Sequence, residues 1–449
     1  MTLLVISPDY ASHLFPLLAL AGSWRAAGER VVVATGRAVA AHVERAGLEC
    51  VPLVLGRGSN AGVARTAEQP EGEDDNLAAF FRATRQGMIP TLRLQAELRR
   101  NDLLWQPAQT ARRTIEVVRR VIPDTILVDH LAFGATLGLR AAAIPYVDVV
   151  IGHPSSLTGT GERYGVPPAW PAIFRPDPAA FADLERLSDE VALQFTDEYN
   201  RALRQLDSAA TEVGDAFQAH GELVLYNYPS GLHDPGRAAR LPAAHEFLGS
   251  LVRNESLDAG AAAWLAREPD RPLVVVSFGT FLSARADVLA RVAAALRGSG
   301  LRVAFATGSA DPADLGSLPD DWLVRPFLPQ VALVERAAIA ITHGGNNGVT
   351  EALTAGAPLL VLPFSTDQFT IAADLERTGL GRVADPNSVT ETEIWDAVRT
   401  LLDDPYRSVA ADLGSELRSD PGPARGHRMV AEWSRDRAPS GVPPGPRPA

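Results

Sequence analysis

Two series of short apolar runs, each run followed by a helical segment, constrain this 449-residue chain more than any other feature. The first series opens with the run Leu3 to Ser7, a helical segment from Leu14 to Ala27 closed by Gly28, and a second run from Arg30 to Thr35. Parallel strands need a long crossover to return to the same sheet edge, so this alternation predicts βαβ units. It returns at Thr125 to Val128, Phe133 to Ala143, Tyr146 to Ile151 and Leu223 to Tyr226. A second series has runs at Leu273 to Phe278, Arg302 to Thr307, Trp322 to Arg325, Ile339 to Thr342 and Leu359 to Pro363. The expected fold is α/β, two Rossmann-like doubly wound domains facing each other across a cleft. The expected boundaries are a first domain over 1–250, a polar, Ala-rich linker with a short helix over 251–271, and a second domain over 272–420. A helix over 421–436 packing back on the first domain and a disordered Pro-rich tail over 437–449 complete the chain. Two irregular stretches, Gly56 to Asp102 and Gly152 to Asp215, carry helical segments at Asn76 to Arg100 and Pro178 to Leu206 and read as excursions that shape a substrate cleft.

Composition removes several chemistries. All 42 cationic residues are arginine, which leaves no lysine for a Schiff base or a Walker motif. Against 54 acidic residues they give a net charge of −12, which argues against nucleic-acid or anionic-membrane partners. Cys50 stands alone, so no internal disulfide or multi-thiolate metal site is expected, and a reducing, cytoplasmic setting fits. The segment from Met1 to Tyr10 reads as a strand rather than a signal peptide.

The most informative segment runs from Ile339 to Asp374. A buried strand ends at Thr342, His343-Gly344-Gly345 makes a tight turn, and a helix follows to Ala355, where Gly356 stops it. The first free amides of that helix, at Gly345, Asn346 and Asn347, carry the positive end of the helix dipole and suit a diphosphate. The same glycines would also serve an ordinary strand-to-helix turn. Glu351 lies about two helical turns further on, where a carboxylate can accept from ribose hydroxyls. Asp367 and Gln368 sit on the loop after the next strand and offer acceptors and donors to a sugar, or an N-cap to the next helix. Phe327, Leu328 and Gln330 follow another strand end, where an aromatic plane and an amide can meet a base. Ser277, Gly279 and Thr280 end the first strand of this half and can add donors to phosphates.

These motifs resemble those of the inverting family 1 nucleotide-sugar glycosyltransferases of GT-B fold, especially actinobacterial natural-product enzymes. The likeness runs from S-P-x(4)-H-x-x-P at Ser7 to Pro16, through V-S-F-G-T and F-L-P-Q, to H-G-G-x(5)-E-A-L and D-Q. It implies that the second domain holds a UDP- or dTDP-sugar and the first holds a small-molecule acceptor. His343, Gly344 and Gly345 would then take the diphosphate, Glu351 the ribose, Gln330 and its neighbours the base, and Asp367 with Gln368 the sugar. Phe327 stands where the family usually has Trp. The resemblance also points to His13 as general base with Asp129 as its partner. The residue reading agrees for His13, an imidazole on the cleft rim that titrates near neutrality; Asp129 would otherwise cap a helix. Neither a resident cofactor nor a metal is expected, and association into a homodimer is left open. Two other readings are a non-catalytic sugar-nucleotide-binding partner of another transferase and a GT-B-like nucleotide-sugar epimerase. His130 and His153 are expected to have packing or loop roles.

Overall fold

The computed structural model describes residues 1–56, 73–282 and 285–437. Seven strands form the first sheet in the order β3-β2-β1-β4-β5-β6-β7. They are β1 (Thr2–Ile6), β2 (Arg30–Thr35), β3 (Glu49–Pro52), β4 (Thr125–Asp129), β5 (Val147–Val150), β6 (Leu223–Tyr226) and β7 (His245–Phe247). Six strands form the second sheet in the order β10-β9-β8-β11-β12-β13. These are β8 (Leu273–Ser277), β9 (Arg302–Ala306), β10 (Leu323–Arg325), β11 (Ile339–Thr342), β12 (Leu359–Val361) and β13 (Gly381–Val383). Every pairing in both sheets is parallel. Helices cover both faces of such sheets, and this explains why central strands are apolar throughout rather than alternating. Leu3, Leu4, Val5 and Ile6 of β1 are all buried, as are Ile339, Ala340 and Ile341 of β11.

Strand order reverses beside the first strand of each sheet, between β1 and β4 and again between β8 and β11. No crossover covers the carboxyl end there, and the resulting crevice is where ligands bind in folds of this kind. Register aligns the two lips of each crevice: Ile6 pairs with Val128, and Thr342 pairs with Ser277 and with Val361. Residues just beyond these positions therefore share a rim.

The sequence pattern missed β3, β7 and β13. Each is a short strand at a sheet edge, and their residues (Glu49 and Pro52, His245 and Glu246, Gly381 and Arg382) interrupt any apolar run. The single helix expected over Asn76 to Arg100 is two, Glu73–Gln86 and Met88–Asp102, broken at Gly87, whose φ of 115° is open only to glycine without strain. Residues 57–72 of that excursion and 438–449 of the tail lie outside the described residues.

After the second sheet the chain crosses back. The helix Gly422–Arg437 lies along α1 (Ala11–Ala26) and puts Val430 into the first sheet's core with Leu20, Trp24, Leu248 and Leu251. The helices approach closely because residue 426 is glycine; a Cβ there would come within 2.5 Å of Leu20 Cδ1. Among the described residues no helix is long and apolar enough to cross a membrane. Val430→Asp would bury an unpartnered carboxylate against the first sheet and is expected to cost about 3 kcal/mol or more. Thermal unfolding followed by circular dichroism should show the lower transition moving down by several degrees, whereas an unchanged midpoint would mean that the helix is not part of that core.

Candidate active site

The first crevice is built by residues just after β1 and at the end of β4. β1 gives way to α1, whose third residue is His13; Asp129 is the last residue of β4. His13 Nδ1 lies 2.8 Å from Asp129 Oδ2, and Asp129 Oδ1 accepts from the backbone N–H of Leu131 at 2.9 Å. One carboxylate thus fixes the local turn and the imidazole together. It does not cap the following helix, Phe133–Ala141, whose N-cap is Ala132. With Nδ1–H donated to a carboxylate, Nε2 keeps a lone pair free to accept a proton. Burial pulls the His13 pKa down, but the charge and hydrogen bond of Asp129, helped by the charge of Asp367, outweigh it and leave the pKa raised.

The second crevice faces the first. Ser277 ends β8, His343 follows β11, and the helix Asn346–Ala355 begins at the same rim, ending at Gly356 in the left-handed region with φ 82°. The glycines have specific reasons to be there. Gly344 has φ 90°, and a Cβ on it would press to 2.7 Å from Val361 Cγ1. Gly345 is in ordinary extended backbone, but a Cβ there would fall 2.5 Å from His343 Nε2, and one on Gly279 would sit 3.2 Å from His343 Cε1. Both glycines therefore make room for the His343 ring. Burial drives that imidazole down to about 4 against the opposing charge of Asp367, so at neutral pH it is an uncharged hydrogen-bonding group. The side chain of Thr280 lies outside the described residues.

Deeper along the same helix, Glu351 receives Gln330 Nε2 at 2.8 Å on one oxygen and Arg253 Nη1 at 3.2 Å on the other. Burial raises the Glu351 pKa, opposed by Arg253 and Gln330. Arg253 also pairs with Glu255 at 3.0 Å, and Glu255 Oε2 accepts the N–H of Val331 at 2.8 Å. Sequence reasoning missed Arg253 and Glu255 because they lie in the stretch read as linker, where nothing in the composition marks a site. Leu328 and Phe327 complete this end, and Phe327 is 51% exposed, unusual for so large an apolar ring.

Three of the expected donor-site residues turn out to have structural work. Asn346 Nδ2 donates to the carbonyls of Ile151 (2.6 Å) and Asn227 (2.7 Å), and Asn347 Nδ2 donates to the carbonyl of Ser12 (2.7 Å). Their side chains therefore tie the helix N-terminus to the first domain, with Asn347 Oδ1 also accepting from Asn227 Nδ2 at 3.3 Å, while the buried Oδ1 of Asn346 has no partner among the described residues. Gln368 is buried, its Oε1 accepting from the N–H groups of Phe364 (2.9 Å) and Ser365 (3.2 Å). That clamp braces a strained turn, since Thr366 is β-branched yet has φ 45°. The turn presents Asp367 to the cleft, where Oδ2 accepts the backbone N–H of His153 at 3.1 Å. His153, expected to be a loop residue, also contacts Asp374 at 3.2 Å through Nε2, beside the Tyr228 hydroxyl that donates to the same oxygen at 2.8 Å. Together the two crevices enclose about 880 Å³, room for a ligand of drug size or larger.

Comparison with known proteins places this geometry. Residues 239–422 match the family of UDP-glucoronosyl and UDP-glucosyl transferases. The elloramycin glycosyltransferase ElmGT of Streptomyces olivaceus is 28% identical over 443 residues, covering 94% of this chain and 95% of that protein. The chain is similar to these transferases, with the family match lying over its second sheet. A second relative, the 4'-demethylrebeccamycin synthase of Lentzea aerocolonigenes, is 25% identical over 92% of this chain and 94% of the relative. The match to the NDP-glycosyltransferase YjiC of Bacillus subtilis is 32% identical but spans only 35% of this chain and 38% of that protein, and the match to the uncharacterized UDP-glucosyltransferase YojK of the same organism spans 32% of that protein. Among solved structures, the glycosyltransferase VinC in complex with dTDP has a TM-score of 0.67 at 18% identity, covering 97% of this chain and 100% of that one. That likeness supports the GT-B fold.

The His13–Asp129 pair makes a prediction that needs no substrate. In a pH titration followed by NMR of the imidazole, His13 should titrate above its ordinary value of 6.5, and Asp129→Asn should move it downward because the imidazolium loses its counter-charge. An unshifted His13 in the variant would mean that the carboxylate does not hold the ring in solution.

Proposed function

We propose that the chain is an inverting glycosyltransferase that moves a sugar from a UDP- or dTDP-sugar to a hydroxyl of a small-molecule, natural-product acceptor, without a metal in the chemical step. The observation that carries this reading is the facing of two crevices: a carboxylate-held imidazole on one lip, and a glycine turn with a helix N-terminus on the other. In this reading His13 Nε2 takes the proton of the acceptor hydroxyl as its oxygen attacks the anomeric carbon. The bond from that carbon to the diphosphate breaks on the opposite side, so the configuration inverts in one displacement. Negative charge growing on the diphosphate is received by the backbone amides of Gly345, Asn346 and Asn347 and by the helix dipole, in place of a divalent ion. Asp129 stabilises the imidazolium without taking its proton.

The remaining residues suit recognition. Asp367 gives one oxygen to Thr366 and one to His153 and, with about four lone-pair positions on a carboxylate, keeps places for sugar hydroxyls. Glu351 likewise keeps lone pairs for a ribose, and the exposed face of Phe327 can stack on a base. The full-length relatives named for elloramycin and 4'-demethylrebeccamycin support an acceptor of that general kind, and a cytoplasmic setting fits the composition.

His13→Ala is expected to lower kcat by about 10² to 10⁴ with nucleoside diphosphate affinity unchanged by calorimetry. Adding Asp129→Asn to it should cost little more, because two residues that act as a unit are not additive. Proton NMR of the product from an α-linked donor should show a β-linkage; an α-product would overturn the single displacement. Transfer by metal-stripped enzyme with metal-free donor should match transfer with magnesium added back, and a rate restored only by magnesium would assign the leaving-group charge to the metal.

A further inference from the structure

One cation in the cleft has no established use. Arg99, on the helix Met88–Asp102, lines the same cleft as His13 and Asp129 and makes no ion pair or hydrogen bond among the described residues. The other arginine on the cleft wall, Arg253, is neutralised by Glu351 and Glu255. Arg99 is half-buried, and a cation drawn partly out of water without a counter-ion favours the arrival of one. Two features hold the guanidinium in place, and a third marks a polar vacancy beside it. Its carbon lies 5.1 Å over the ring of Tyr164, whose other face is stacked on Phe217 at 4.0 Å. Gly165, with φ 78°, leaves the space the guanidinium occupies, since a Cβ there would collide with Nη1. Gln95, four residues earlier and so on the same helix face, has a buried Oε1 with no donor.

On the reading of the cleft as a transferase site, we propose that Arg99 is a specificity-determining residue that receives an anionic group, a carboxylate by chemistry, carried by the acceptor at a distance from the hydroxyl that is glycosylated. A guanidinium braced on one face keeps its edges free, and those edges match a carboxylate in two parallel hydrogen bonds. Gln95 accepts a neighbouring hydroxyl or amide proton. The site is on the acceptor side of the cleft: the Tyr164 hydroxyl feels the charges of both Asp129 and Asp367, and apolar Leu103, Val166 and Pro167 complete the wall. Asp367 acts on Arg99 only through its charge and forms no ion pair or hydrogen bond with it, so the edges of the guanidinium stay open.

The test uses 6-hydroxynaphthalene-2-carboxylate and its methyl ester as probes, with calorimetry on the full chain saturated with UDP. Wild-type protein should bind the acid at least about tenfold more tightly than the ester, and Arg99→Met should remove that preference while leaving ester affinity within about twofold. The thermal midpoint of Arg99→Met should equal or exceed that of the wild type, because an unpaired cation has been removed; a purely packing role over Tyr164 would lower it. Equal affinity for acid and ester, or no binding of the acid, overturns the proposal. Its failure is distinct from failure of the transferase reading. Transfer of sugar to acid and ester alike would refute only the role of Arg99, and Arg99-dependent binding of the acid without sugar transfer from any donor would refute only the transferase reading.

Discussion

A parallel sheet whose strand order reverses beside its first strand leaves one place where no helix lies over the strand ends, and this chain makes that place twice. Everything chemical in the molecule depends on the reversal. It puts His13 and Asp129, 116 residues apart in sequence, within hydrogen-bonding distance. It also sets Ser277 and His343 on one lip, because β8 and β11 pair with Thr342 opposite Ser277. The side chains that line the site are supplied by loops, but their spacing comes from strands that are apolar throughout and packed on both faces, which is a stiff foundation for adjustable contacts.

Charge in the cleft is arranged to differ from wall to wall. Burial alone would depress both imidazoles that face each other. On the first wall a carboxylate reverses that tendency and makes His13 a better proton acceptor. On the second wall no carboxylate is near enough to do so, and His343 stays neutral. Two residues of one type thus acquire different chemistry from their surroundings, which is the usual way in which a protein divides roles among like groups. Glu351 illustrates a third outcome, a buried carboxylate shared between an amide and a guanidinium and so held fixed in the cleft wall.

The parts of the fold legible in the sequence were those in which local pattern and tertiary role coincide. Strands β1, β2, β4, β6, β8 and β11 are buried on both faces, so their apolar runs stand out. The helix Pro178–Leu206 was readable to the residue, because Pro178 and its N-cap Asp177 mark its start. The edge strands β3, β7 and β13 were not legible, since one side faces solvent or loop and the residues need not be apolar, whereas the edge strand β10 was. For the site, the residues at strand ends were readable from punctuation: His343 before two glycines, His13 after β1, Asp129 closing β4. What punctuation could not convey is which atoms of a residue are used. Asn346 and Asn347 open the helix after the glycine turn, yet their side chains serve the other domain, a fact that depends on Ile151, Asn227 and Ser12 being opposite. Arg253 was invisible for the same reason, because only the closing of one domain on the other gives it Glu351.

The tie made by those two asparagines sets how the molecule must open. Its hydrogen bonds join the first turn of the helix Asn346–Ala355 to backbone carbonyls on the far wall, one of them at Ser12, the residue before His13. The gap between the walls is consequently gauged at the bite of the jaws rather than at the linker, and carbonyl groups cannot be changed by substitution. A ligand that wedges the walls apart must break bonds that carry no side-chain identity on the first wall, so drift in that wall's sequence leaves the gauge intact. The excursions of the first domain can then vary in sequence while the distance from imidazole to helix terminus stays constant.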